Sequence, residues 1–396
     1  LTEPDPTPPP APPVKLARER RAAAALALAA FALNLNTNVL GALLPFLPTE
    51  LAAVGGGDKM LLAAAAAGSA VGALLVGPLA ARRGRRGTLV GGMLLFVLSC
   101  ALHPLATSFW PFLTLRALSG LAVGVAYASA SSLVAELWPY ARRGRAMGTF
   151  TAAMFLAIPV GLPLAVELAR RGMWSGIFLV QAVVGALGCW LALRAVPASA
   201  PVERRGSGWS VLREPGVVAA LVATMLHVGS FFVTVQLAST WLDETGMVAR
   251  ADQPWVWVGL GAVSVVGSAG FGGLSDRIGK RNFVLTTSVV LVACFGLLAQ
   301  MPRPELLIGL AVLLAATAAA RTGPLQALVS SLVPADRFAA VMGLRGFAMQ
   351  TGVALFALGA SPVAAELGFR GVLMLAAGCQ FLSYVAIRFG VREPAR

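Results

Sequence analysis

The chain has 396 residues, of which 58% are hydrophobic and only 12% charged, and its mean hydropathy is +0.79. A soluble domain carries about 25% charged residues to face water, so a soluble fold of this length is excluded. The formal charge of +14 would suggest nucleic acid in a soluble protein, but here Lys and Arg sit in short clusters between apolar runs, and no nucleic-acid partner is expected.

In chain order, residues 1–20 read as a proline-rich disordered tail. The basic stretch at Arg18, Arg20 and Arg21 is followed by no small-residue cleavage site, so the first apolar run is expected to stay as a helix and not to leave as a signal peptide. Apolar runs predict helices near 22–46, 59–80, 88–106, 109–137, 146–168 and 174–194, within a first unit of 21–194. Residues 195–213, rich in Pro, Gly, Ser and Arg, read as a linker. The second unit, 214–391, predicts helices near 216–241, 254–274, 283–301, 304–332, 339–361 and 370–390, and 392–396 form a short tail. Each crossing takes roughly 20 apolar residues, so twelve take about 240–300 and leave room for short loops.

Basic residues crowd alternate connections: Arg82, Arg83, Arg85 and Arg86; Arg142, Arg143 and Arg145; Arg277, Lys280 and Arg281. The other connections hold mostly single ones, such as Lys59, Arg250 and Arg303. That bias predicts that the basic connections and both termini face the cytoplasm. The four cysteines lie far apart inside apolar runs and read as packing residues. His103 and His227 are too isolated for a metal site, and neither metal nor cofactor is expected.

The two units repeat one another. Gly77-Pro-Leu-Ala-Ala-Arg-Arg-Gly-Arg-Arg86 aligns with Gly272-Gly-Leu-Ser-Asp-Arg-Ile-Gly-Lys-Arg281 at an offset of 195, and the same offset pairs Pro139 with Pro334, Arg142 with Arg337 and Met147-Gly148 with Met342-Gly343. A six-helix segment has been duplicated.

These segments resemble the major facilitator superfamily over nearly the whole chain. The loop after the second helix is similar to that family's G-x-L-x-D-R-x-G-R-R signature, with its acid replaced by Ala81 in the first half and present as Asp276 in the second. Arg116-Ala-Leu-Ser-Gly120 with Gly124 resembles the family's fourth helix, and Pro139-Tyr-Ala-Arg-Arg-Gly-Arg-Ala-Met-Gly148 its next loop. Pro159-Val-Gly161-Leu-Pro163 and Gly172-Met-Trp174-Ser-Gly-Ile-Phe178 resemble segments of the drug and sugar-efflux antiporters, although Ile158 and Ser175 depart from the usual Gly and Arg. The resemblance implies an all-α membrane protein of twelve transmembrane helices in two pseudosymmetric six-helix bundles. It further implies a secondary active transporter working by alternating access, exporting a small organic molecule against proton entry, in a bacterial inner membrane and functional as a monomer. An organic-anion importer or exchanger using Arg116 and Arg321 is the alternative within transport, and a transporter-like sensor or lipid-handling protein the alternative outside it. No nucleophile–base pair or phosphate loop points to an enzyme.

The residues themselves suggest a gate and a cavity. Asp276 can meet the unpartnered backbone N–H groups at the start of helix five near Arg145, with Arg277, Arg281, Arg82 and Arg86 as flanking gate residues. Charges at bilayer depth are costly and tend to face a cavity. Arg116, which the resemblance makes the coupling arginine, and Arg321 are expected there, while Arg345 is expected to snorkel to the cytoplasmic face. No carboxylate falls near the centre of a span. Asn34 and Asn38 share a helix face and either contact substrate or tie helices together. Tyr127, Gln236 and Gln326 are candidate polar lining. His227, a residue type whose unperturbed pKa is about 6.5, and Glu136 are the remaining coupling candidates.

Overall fold

The computed structural model describes residues 13–52, 57–198, 208–249, 252–300 and 304–393. Ten of its helices are long and apolar enough to cross a bilayer, and two of these run on for 47 residues (Lys59–Leu105) and 56 residues (Ala335–Gly390). At 1.5 Å per residue, such lengths reach roughly 70–85 Å, far beyond a hydrocarbon core of about 30 Å. Each is broken once, at Gly84 (φ 69°, ψ 165°) and at Gly368 (φ 64°, ψ −166°). Only glycine adopts these angles without strain, so the chain reverses there and makes two crossings. The result is twelve membrane helices.

They are α1 (Pro13–Leu43), α2 (57–83), α3 (85–102), α4 (Phe109–Leu137), α5 (Tyr140–Arg170) and α6 (Gly176–Ala195) in the first half. The second half holds α7 (Val217–Thr245), α8 (Gln253–Ile278), α9 (Lys280–Leu298), α10 (Pro304–Ser331), α11 (338–367) and α12 (369–390). One expected boundary moves. Residues 13–20, read as tail, continue α1 back to Pro13, because Leu, Ala, Arg and Glu are good helix formers and Pro is tolerated at a first helical position. Residues 1–12, 199–207 of the linker and 394–396 lie outside the described residues.

Within the first half, Gly68 and Gly72 of α2 lie against the α4 backbone, and Gly120 and Gly124 of α4 against the α2 backbone at Ala65 and Ser69. A methyl on any of the four would overlap a carbonyl of the partner helix, which is how small residues let two backbones meet. Between the halves, α5 packs on α8 and α10, and α2 on α11. One turn of α5, Ala157–Gly161, widens to a π-helix where Pro159 has no N–H to give the ladder. Gly261 of α8 seats against Ile158 and Pro159 there. Outward-facing side chains such as Phe389 (80% exposed) and Leu358 (73%) are large and apolar, a surface suited to lipid and not to water.

Candidate translocation site and gate

The connections that carry the arginine clusters gather at one end, here called the basic end. Asp276, at the end of α8, takes hydrogen bonds from the second turn of α5: Gly144 N donates to Oδ1 at 2.9 Å and Arg145 N to Oδ2 at 2.8 Å. Both N–H groups lie near the helix start, which carries partial positive charge, so a carboxylate is suited to the position. Lys280 Nζ holds the same carboxylate at 2.8 Å. Arg143 NH1 to Ser330 Oγ at 3.0 Å and Arg85 to the Ala335 carbonyl are among the other bonds that join the halves. Arg85 also pairs with Glu136 at 2.6 Å. In the first half, where Ala81 replaces the acid, Arg85 thus makes the contact across the junction.

A second carboxylate serves the same end. Glu393, past α12, accepts from Lys280 N at 2.9 Å and Arg281 N at 3.0 Å, and Tyr140 of the other half donates its hydroxyl to it at 2.8 Å. Arg281 reaches the Val391 and Arg388 carbonyls of its own half at 2.7 and 2.6 Å, and Arg86 the Leu193 carbonyl. The side chains of Arg82, Arg145 and Arg277 are exposed.

Deeper in each half lies a polar knot built on the same three helices. In the first, Arg116 of α4 approaches Asn36 of α1 (NH1 to Oδ1 3.4 Å), and Asn36 Nδ2 donates to Gln181 Oε1 of α6 at 2.8 Å. In the second, Gln380 Oε1 of α12 accepts from Arg321 NH1 of α10 at 3.1 Å and lies 3.2 Å from His227 Nδ1 of α7. Arg321 NH2 also donates to Ser383 Oγ at 2.8 Å. Gln380 Nε2 donates to Ser230 Oγ at 2.8 Å, so its oxygen is the atom facing Arg321 and the ring, which assigns the His227 proton to Nδ1. The repeat offset would put these residues at Phe231, Ala311 and Ala376. All three are displaced toward the basic end, by about 6 Å for four residues and about 15 Å for ten. Arg116 and Arg321, expected to face a shared cavity, are therefore each enclosed in their own half with 0% exposure.

Arg345 corrects the sequence expectation. It does not snorkel: it is 2% exposed and faces Tyr127 of α4 across the junction of the halves, because α11 turns this position toward α2 and α4, away from the headgroups. Asn34 donates to the Met154 carbonyl at 2.7 Å and Asn38 to the Asn34 carbonyl at 2.8 Å, while Gln236 is exposed. Glu136 sits at the basic end in its ion pair. Among the described residues no group of His, Cys, Asp and Glu could hold a metal ion.

A family model described as the Major Facilitator Superfamily matches residues 26–299 and 247–396. The chain belongs to the Major Facilitator Superfamily. The purine ribonucleoside efflux pump NepI of Shigella sonnei is 28% identical over 204 residues, 51% of this chain and 50% of the pump, so the match spans about half the length of each. An uncharacterized MFS-type transporter of Bacillus subtilis, YwfA, is 26% identical over 82% of this chain and 80% of its own. The solved proton:xylose symporter XylE shares the fold at a TM-score of 0.80 with 16% identity, covering 96% of this chain and 97% of that one.

For this superfamily member, sequence reasoning missed Glu393, Tyr140, Lys280 and Gln380 as partners. Glu393 left one signal, a carboxylate close behind the last apolar run. Gln380 left none, since a single glutamine in an apolar helix reads as packing.

Proposed function

We propose that this protein is a secondary active transporter that exports a small organic molecule by alternating access, coupled to proton entry. The observation that carries the reading is Asp276: one carboxylate of the second half closes on the backbone of the first half, over a buried polar layer. A bond of this kind holds one conformation and is released in the other, which is what a two-body carrier needs. The basic end is the cytoplasmic end in this reading, by the excess of Lys and Arg in its connections, and the bacterial origin of the relatives supports an inner membrane. The likeness to a purine ribonucleoside efflux pump supports outward movement and makes nucleosides the first cargo to try.

His227 is the proton site in this reading. Its Nδ1 faces Gln380 Oε1 and the ring also meets the Ala318 carbonyl, and a neutral imidazole can donate to only one of two acceptors. Vesicles loaded with a radiolabelled nucleoside mixture and given an imposed pH gradient test the scheme. Release driven by the gradient, lost in His227→Gln with protein level unchanged, is expected. Release indifferent to the gradient would remove proton coupling.

A second reading has its own support. Arg116, Arg321 and Arg345 are all buried, and no ion pair joins any of them to a carboxylate among the described residues. Uncompensated positive charge suits an anion carrier. Exchange of internal for external carboxylate without a pH gradient would favour that reading.

A further inference from the structure

Three side chains beneath the gate have polar groups that the protein leaves unused. Tyr127 Oη, both Nε2 and Oε1 of Gln326, and Arg345 Nε are buried without a hydrogen-bond partner. Several other buried side chains have one idle atom, but Gln326 is 0% exposed with its whole carboxamide unpaired. Arg345 NH1 meets Met349 Sδ at 3.2 Å, and its guanidinium interacts with the Tyr127 hydroxyl. Buried polar groups in folded proteins are nearly always paired, so a wholly unpaired amide near the Tyr127–Arg345 pair asks for a ligand.

The three belong together. The Tyr127 hydroxyl faces the Arg345 guanidinium, and the Tyr127 ring lies 5.4 Å from that of Phe150 on α5. Two residues before Phe150, Gly148 touches Gly323 of α10, one turn from Gln326. Counted from the basic ends of their helices, Gln326, Arg345 and Tyr127 stand about 8, 11 and 15 Å into the molecule. Tyr127 comes from the first half, and Gln326 and Arg345 from the second.

We infer that Gln326, Arg345 and Tyr127 form the cargo-binding site, and that its cargo presents an N–H beside a C=O together with an oxygen acceptor. This rests on the transport reading above and names its cargo by chemistry. A carboxamide offers one donor and one acceptor side by side, the complement of a cis-amide edge such as that of a lactam or a pyrimidine dione. Arg345 supplies donors to a carbonyl or carboxylate oxygen, and the tilted Tyr127–Phe150 pair gives a flat ring an aromatic wall. A lipophilic cation finds no carboxylate here.

Thermal shift of the purified full chain in detergent tests this with three probes: uracil, 1,3-dimethyluracil, which lacks the N–H groups, and orotate, which adds a carboxylate. Uracil should stabilise the protein and dimethyluracil should not. Orotate should bind about tenfold more tightly than uracil. Gln326→Leu should abolish the uracil response, Gln326→Asn should retain part of it, and Arg345→Gln should make orotate and uracil equivalent. Equal shifts from uracil and dimethyluracil, no response to any probe, or discrimination that survives Gln326→Leu would each overturn the site. Should a variant fail to fold, the wild-type comparison of the two pyrimidines still decides. The vesicle assay is read separately, so a site that binds without gradient-driven release keeps this inference and removes the efflux reading.

Discussion

Hydrogen bonds to a charged partner contribute about 1.5–3 kcal/mol each, and Asp276 receives two from the opposite half. Replacing it with Ala removes both, and each 1.36 kcal/mol corresponds to a tenfold change in an equilibrium. Asp276→Ala is expected to lower transport at least about tenfold while the protein still reaches the membrane. In the same background, Ser330→Cys should become open to a membrane-impermeant maleimide applied at the basic end. Unchanged transport and labelling would end the gate assignment. Gly144→Ala offers an independent route to the same phenotype, since a methyl there meets the Asp276 carboxylate and Ser275 Oγ. At this scale legibility depends on whether a residue's role is set by its place along the chain. Asp276 was visible because it is an acid among bases at a helix end. Arg345 was misjudged because depth along a helix says how far the interface is and nothing about which face the side chain takes.

The helix pair α2–α4 shows what the glycines do as a set. Each helix presents two of them to the other's backbone, and overpacking such a contact costs about 1–3 kcal/mol. Gly120→Leu should lower the melting temperature of the purified protein markedly, whereas Gly259→Leu on α8, where nothing lies within 4 Å of an added carbon, should leave it unchanged. Equal effects at the two positions would mean that bulk alone matters. The spacing of these glycines was readable in the sequence, but their partner helix was not, because the sequence does not say which apolar face meets which. The π turn at Ala157–Gly161 was equally hidden: a proline predicts an interruption in the ladder without saying whether the helix will kink, break or widen.

On the scale of the whole molecule, hydropathy is enough to count twelve crossings, and a repeat at one offset is enough to divide them into halves. What the repeat could not supply is the departure from symmetry. The clamp is one-sided because Ala81 replaced an acid, and the polar knots share helices but not depth. Such differences arise one residue at a time and leave the periodicity of the helices untouched.

The three enclosed guanidinium groups have a consequence for the membrane itself. Among the described residues no carboxylate is paired to them, so they give the interior a standing positive potential, and in a medium of low dielectric that potential is weakly screened. A hydronium ion entering the resting protein meets an electrostatic barrier of the sort that lets water pores exclude protons. The unloaded carrier should therefore be an electrical insulator. Proteoliposomes without cargo are expected to hold a pH gradient as long as protein-free liposomes do, and Arg345→Glu should make them leak. On the proposed scheme, the same positive charge would keep the cell's proton store from draining between turnovers.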